Sequence, residues 1–359
     1  MRVGLLIYGS LDTISGGYLY DRKLVDFLRS QGDRVDIISL PWRNYARHLG
    51  DNLSRTLLDR LSQLDLDVLV QDELNHPSLF LLNRRLRRQA PYPFVALVHH
   101  LRSSEARPGW QNWYYRLVES RYLASVDGFI YNSRTTQRAV EQVLGDSGTS
   151  VIAYPSGSRL EPRITDREIM ARAQRPGPLQ VFFLGNIIPR KGLDTLLEAV
   201  RRLPAEAVCL EAAGRLDADR GYAARLQRQV DQEGLGQRVS WLGPLDDAAL
   251  AERLRASQVL AVPSSYEGFG IAYLEGMGFG LPAIGATAGG AGEVIAHTVN
   301  GYLIPPGDAA ALAAVLQELA GDRERLGALG MAARRRYEAH PTWEDSMGKI
   351  RFFLQRMLA

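Results

Sequence analysis

A chain of 359 residues has room for two domains that each bury a core of their own. Its 43 lysines and arginines against 40 acids leave a formal charge of +3, too little to mark a nucleic-acid binder. The single cysteine, Cys209, excludes an intrachain disulfide and a thiolate cage around a metal, and no run of roughly 18 apolar residues is present to cross a bilayer.

The opening MRVGLLIYG is too short an apolar run for a signal peptide. The expected location is the cytoplasm, free or peripheral on the inner membrane face. Residues 1–175 carry 24 of the basic and 19 of the acidic side chains, so the basic surplus lies in the first half. Such a surplus suits an acidic partner or an anionic membrane, and it is also the ordinary state of a solvated surface.

In chain order, RVGLLIYG, RVDIISL, LDVLVQ, FVALVHH and GFIYNS are short Val-, Ile- and Leu-rich runs separated by polar helical stretches. That alternation predicts β/α units feeding a parallel sheet. Within it, LFLLNRRLRR (79–88) sets Leu79, Leu82 and Leu86 at helical spacing beside four arginines. It reads as a helix that packs on the sheet or lies on an anionic bilayer. RPGWQNWYYR brings Trp110, Trp113, Tyr114 and Tyr115, an aromatic wall for a sugar or apolar tail, or part of a core.

Proline, glycine and mixed charge between Ser158 and Pro178 predict a linker. LQVFFLGN, AVCLEAAG, VSWLG, VLAVPS, PAIGA and GYLIPP then repeat the βα pattern. Two such sets imply two doubly wound domains, expected at 1–165 and 175–340. Trp343, Met347, Ile350, Phe353 and Leu354 mark a last amphipathic helix at about 342–359, expected to pack back on the first domain.

The densest chemistry lies in PSSYEGFGIAYLEGMGFGLPAI, residues 263–284. A strand gives way to a helix through Glu267–Gly270, at the carboxyl edge where open α/β sheets bind ligands. The amides of Gly268, Phe269 and Gly270 are expected to be donors at the helix start, which would suit a diphosphate. Glu267 and Glu275 are eight residues apart, on the order of 12 Å along a helix. Glycosidase carboxyls that share one scissile bond sit roughly 5 to 9.5 Å apart, so the pair fits the two hydroxyl-bearing ends of a longer ligand better. A nucleotide sugar has that layout. The plainer alternative is that Glu267 caps the helix and Glu275 faces solvent. GNIIPRKG (185–192) ends another strand with Arg190 and Lys191, cations that can neutralise a diphosphate or simply solvate the surface.

Taken together, PSSYEGFGIAYLEGMGFGLPAI, GNIIPRKGLDTLLEAV before it and ATAGGAGEVI after it resemble the C-terminal donor-binding domain of glycosyltransferase family 4. The resemblance is strong over about residues 180–306 and weaker before them. It implies an α/β GT-B fold: two Rossmann-like doubly wound parallel-sheet domains facing an interdomain cleft, the first binding acceptor and the second nucleotide sugar. It also implies that Glu275 binds the ribose, Glu267 contacts the donor hexose, and the Phe269, Gly270 and Ile271 amides hold phosphate and sugar oxygens. Arg190 and Lys191 would grip the diphosphate, with Gly243 to Leu245 near the base. Many members carry Arg after the glycine that opens GNIIPRKG; Asn186 stands there instead, leaving that share of charge to Arg190 or the donor more weakly held.

In SGGYLYDRKLV, Gly16 and Gly17 open a helix without forming a G-x-G-x-x-G fingerprint. They read as a tight turn or, by the resemblance, as the loop over the donor phosphates. FVALVHHL ends a strand with His99 and His100, which alternation sends to opposite sides. An imidazole there can act as a base, a hydrogen-bonding group or packing. The family's histidine in an H-x-L setting matches His99 better and would reach the donor sugar.

The implied reaction is retaining, front-face transfer of a hexose from a nucleoside diphosphate sugar to a hydroxyl of a saccharide, lipid or small-molecule acceptor. No cofactor, metal or nucleic acid is expected, and the N-terminal domain is the place for any peripheral membrane contact. The rivals are a same-fold epimerase or phosphorylase and a non-catalytic donor-binding subunit. A nicotinamide dehydrogenase is more distant, since no ribose-binding acid follows a proper glycine fingerprint.

Overall fold

The Val-, Ile- and Leu-rich runs form strands in two separate parallel sheets of six. The computed structural model describes residues 1–358 other than Ala106 and Ser147. Contacts divide the chain into two units, Met1–Pro155 with Pro341–Ala359, and Ser156–His340.

The first unit runs β1 (Arg2–Tyr8), α1 (Gly16–Ser30), β2 (Arg34–Leu40), α2 (Tyr45–Asp51), α3 (Arg55–Ser62), β3 (Val68–Asp72), α4 (His76–Leu79), α5 (Leu82–Leu86), β4 (Phe94–Val98), α6 (Gly109–Leu123), β5 (Gly128–Tyr131), α7 (Arg134–Leu144) and β6 (Ser150–Ile152). The sheet order is β2-β1-β3-β4-β5-β6. β3, β4 and β5 are buried along their whole length, as parallel strands covered on both faces are. β6 is missing from the sequence expectation because three half-buried residues show no periodicity.

The expected helix over 79–88 is instead split between α4 and α5. Leu79, Leu82 and Leu86 lie in the core, while Arg87 pairs with Asp127 at 2.7 Å and Arg85 donates to the Asn52 carbonyl. The apolar spacing therefore serves the sheet, not a bilayer face. Among the described residues no helix is long and apolar enough to cross a membrane.

The second unit runs α8 (Asp166–Ala173), β7 (Leu179–Leu184), α9 (Leu193–Arg202), β8 (Val208–Ala213), α10 (Arg220–Gln232), β9 (Val239–Gly243), α11 (Asp247–Ala256), β10 (Val259–Val262), α12 (Ile271–Gly278), β11 (Ala283–Ala286), β12 (Gly301–Ile304), α13 (Ala309–Gly321) and α14 (Arg323–Glu338). Its sheet order, β12-β11-β10-β7-β8-β9, is the Rossmann order 3-2-1-4-5-6 read from the far edge.

Much of the expected linker proves to be structured. A Thr165/Glu168 capping box starts α8, and the α8 residue Arg172 donates to the Gly280 carbonyl at 2.7 Å. The units part earlier, after Pro155. The tail forms α15 (Trp343–Met357) and packs on α1 and β6 of the first unit. Ile350 and Leu354 are fully buried there, each contributing about 2 kcal/mol of apolar burial. Residue 359, the end of the helix expected from sequence, lies outside the described residues.

Candidate active site

An open α/β sheet offers its ligand crevice where the strand order reverses, at the carboxyl ends of the two strands flanking that point. In the second unit those strands are β7 and β10. The loop after β7 carries Arg190 and Lys191, and the loop after β10 carries Glu267. Two hydrogen bonds tie the loops together: the Ser265 amide donates to the Arg190 carbonyl, and Arg190 Nη1 donates to the Tyr266 carbonyl, both at 2.8 Å.

This knot brings three of the sequence-derived residues into one cluster. Lys191 Nζ lies 2.5 Å from Glu267 Oε1, the Ser264 hydroxyl donates to the same oxygen at 2.7 Å, and Arg190 stands 3.8 Å from Glu267 Oε2. Burial alone would raise the Glu267 pKa, but the charges of Lys191 and Arg190 and the two hydrogen bonds hold it down to about 2. Burial pulls the Lys191 ammonium below its usual range, only partly countered by Glu267. The carboxylate is thus fixed as an anion, and both cations stand beside it.

The glycines around Glu267 have defined work. A Cβ at Gly289, where φ is +76°, would meet the Glu267 carbonyl oxygen at 2.1 Å. The chain needs that approach because Gly290 donates to this carbonyl at 2.7 Å, bracing the loop after β10 with AGGAG. Gly270, at φ +98°, starts α12, and a Cβ there would meet the Tyr273 ring at 2.4 Å. No side chain caps α12; the Tyr273 amide donates to the Gly270 carbonyl, and the Ile271 and Ala272 amides are left for an anion or water. The Phe269 ring is buried and packs on His340.

Glu275, four residues further along α12 than Ile271, is 4 % exposed and not solvent-facing. Its carboxylate accepts from Arg159 Nε at 2.5 Å, and Arg159 also reaches Asp247 at 2.6 Å. Burial raises its pKa despite the guanidinium. A ribose hydroxyl at Glu275 therefore has to share the carboxylate with Arg159. Asn186 follows β7, Gly243 ends β9 with its carbonyl held by the Gly214 amide at 2.9 Å, and Leu245 is half-buried two residues beyond.

In the first unit the order reverses between β1 and β3. Gly16 is exposed in the first turn of α1, and a Cβ at Gly17 would lie 3.3 Å from the His99 ring. His99, just after β4, meets Asp21 of α1: Nε2 to Oδ1 is 3.1 Å. Burial lowers the His99 pKa, but the Asp21 hydrogen bond and the charges of Asp21, Asp72 and Glu73 outweigh it and raise it overall. Asp72, buried at the end of β3 beside Asp21, is pushed up to about 7. His100 turns elsewhere, with Nε2 at 3.0 Å from Glu105.

One further grouping stands apart from these loops. Tyr45, Ala46, Leu49, Trp110, Gln111, Tyr114 and Tyr115 line a cavity of about 260 Å³ between α2 and α6, and Trp110 and Trp113 are about 70 % exposed rather than core. Two clusters place acid and imidazole ligand atoms within 4.8 Å of one another, Asp21/Asp72/His99 and Glu73/His76/Glu119.

Sequence reasoning passed over Asp21, Ser264 and Arg159. Asp21 had a signal, since it lies one helical turn after Gly17 and so shares its face. Arg159 had none: it lies in a stretch that reads as linker.

The profile of the glycosyl transferases group 1 family matches residues 165–336, which contain every one of these second-unit loops except the Arg159 segment. The chain is 28% identical to a phosphatidyl-myo-inositol mannosyltransferase of Mycobacterium leprae, over 94% of this chain and 93% of that protein. This chain is a glycosyltransferase. A D-inositol 3-phosphate glycosyltransferase of Geodermatophilus obscurus is 28% identical over 65% of the chain and 53% of its own length, so the alignment spans about half of that relative. The glycosyltransferase has the GT-B fold. It superposes on a sucrose-phosphate synthase from Thermosynechococcus elongatus with a TM-score of 0.84 at 22% identity, covering 99% and 98% of the two chains. Anabaena HepE, solved with UDP and glucose, gives 0.78 at 20% identity over 99% of both.

Proposed function

We propose that this glycosyltransferase moves a hexose from a nucleoside diphosphate sugar to an acceptor hydroxyl with retention at the anomeric carbon. The observation that carries the reading is the Lys191–Glu267 contact at the Rossmann switch point, beside an uncapped helix start. A diphosphate laid against the first-turn amides of α12 would find Lys191 and Arg190 as counter-ions, and the charge that develops on the leaving phosphate would be met by the same groups. Glu267, held as a carboxylate, would accept from hydroxyls of the sugar while its ion pair keeps it from acting as a proton donor. No nucleophilic carboxylate is invoked; the leaving phosphate takes the acceptor's proton in front-face attack, and catalysis rests on positioning and charge neutralisation.

In the first unit, the reading gives His99 a hydrogen bond to the transferred sugar, with Asp21 orienting the ring. The donor classes to examine are set by the relatives' names: one is called GDP-mannose-dependent, and a solved neighbour holds UDP-glucose. Thermal shifts with UDP, GDP, ADP and their hexose adducts identify the donor, because ligand that binds only the folded state raises Tm by mass action. Release of nucleoside diphosphate only when acceptor is present then supports transfer. Release without acceptor points to a hydrolase or epimerase-like activity, and no shift with any nucleotide removes the reading.

A further inference from the structure

We propose that Glu73, His76 and Glu119 of the first unit form a binding site for one divalent transition-metal cation of the Zn²⁺ class. The three come from different places in the chain: Glu73 from the turn after β3, His76 from the start of α4, Glu119 from α6. Each is 2 % exposed or less, and one ligating atom from each lies within 4.8 Å of the other two.

The hydrogen bonding leaves this cluster short of positive charge. His76 Nδ1 is 3.0 Å from both the main-chain carbonyl and Oε1 of Glu73, but it has one proton, which goes to the carbonyl. Glu73 Oε1 is consequently buried with no donor. The Tyr45 hydroxyl is 3.0 Å from His76 Nε2, so the ring meets its neighbours as a neutral imidazole. Glu119 accepts only from the amide and hydroxyl of Ser103, at 3.1 and 2.5 Å. Arg102, whose charge also reaches Glu73, lies over the rings of Tyr45 and Tyr115.

Buried carboxylates are paired, protonated or bound to a metal. Two carboxylates and a neutral imidazole carry the charge and ligand types that satisfy Zn²⁺, whereas Mg²⁺ and Ca²⁺ ask for more oxygens than this pocket brings. A backbone carbonyl accepting from Nδ1 is the usual support for a histidine that ligates through Nε2, so a metal here would take the place of the Tyr45 hydroxyl at that nitrogen. The Asp21/Asp72/His99 cluster differs here, because its imidazole meets Asp21 directly and is pushed toward the charged form by the acids around it. A metal held by Glu73, His76 and Glu119 would clamp α6, with its exposed aromatic residues, to the end of β3.

The test uses the full chain, tag removed, purified without chelators. We expect metal analysis to find about one zinc per chain after desalting, and EDTA to lower Tm by about 5 °C with recovery on adding Zn²⁺. Glu119→Gln, close in shape, should lose the metal, while Asp21→Asn should keep it. Co²⁺ should give a visible ligand-field band in the wild-type protein, which keeps the proposal testable if Glu119→Gln does not fold. A folded wild-type chain with no retained zinc, no Co²⁺ band and no shift in Tm at 100-fold excess Zn²⁺ overturns it, as does zinc removed by desalting alone or zinc retained by Glu119→Gln. Donor binding plays no part in these readouts, so their failure leaves the transfer reading standing.

Discussion

The two units build their switch points from the same architecture and give them opposite electrostatics. In the second, Lys191 and Arg190 surround one acid, and Glu267 is held down to about 2. In the first, two acids crowd one imidazole, so Asp72 rises to about 7 and His99 rises as well. Fold sets where a ligand sits, and the side chains on the loops set what it is. A cationic crevice with bare amides selects an anion; an acid–imidazole crevice suits neutral hydroxyls, which both donate and accept.

Removing a cation from the second unit is the strongest way to break that contrast. Lys191→Ala should lower turnover at saturating donor by roughly 10² to 10³, the usual cost of one preorganised charge-stabilising group. Glu267→Gln should lower it less, since the amide still accepts from a hydroxyl. If Lys191→Ala retains more than about a tenth of wild-type turnover, the cation is structural and the contrast fails.

The crevice also depends on how its loop is braced. Gly289→Ala adds a methyl at positive φ and drives it into the Glu267 carbonyl, so urea unfolding should show a loss of about 3 kcal/mol or more. Gly307→Ala has the same φ of +76° with nothing within 4 Å, and should cost about 1 kcal/mol. Equal costs would mean that backbone conformation alone, not the close approach to Glu267, is at stake.

On the first unit's side, His99→Ala should reduce turnover about 10- to 100-fold, and Asp21→Asn should follow it at about half the free-energy cost. His100→Ala should change it less than about threefold, because His100 is turned to Glu105. Equal losses from the two histidines would assign the effect to packing at the end of β4.

How much of this was legible beforehand depended on the kind of signal. Eleven of the twelve strands announced themselves as apolar runs, and only β6, three residues long, was silent. Lys191 and Glu267 stood out because each follows a buried strand, and strand ends are where open sheets bind. The partner of Glu275 did not, since Arg159 is 116 residues away and no local pattern encodes that pairing. The capping box at Thr165 was readable, but proline and charge around it outweighed it. Periodicity at 79–88 predicted burial of three leucines correctly and the continuity of the helix wrongly; residues 80 and 81 fall between two short helices whose apolar faces still meet the sheet.

The smallest expected effect is on acid stability, and it sharpens the contrast by its sign. Glu267 is depressed in the folded state to about 2, below its unfolded value of about 4.3. Its contribution is therefore present above about pH 4.3 and is lost as pH falls toward 2, where the folded carboxylate finally protonates. Lys191 stays protonated throughout that window, so the proton taken up on unfolding belongs to Glu267. The slope of unfolding free energy against pH should fall by up to about 1.4 kcal/mol per unit in Glu267→Gln between pH 4.3 and 2. Unfolding followed by intrinsic fluorescence across that range measures it. An unchanged slope would mean that Glu267 takes up its proton in the folded protein no later than in the unfolded chain, so Lys191 and Arg190 do not hold its carboxylate down.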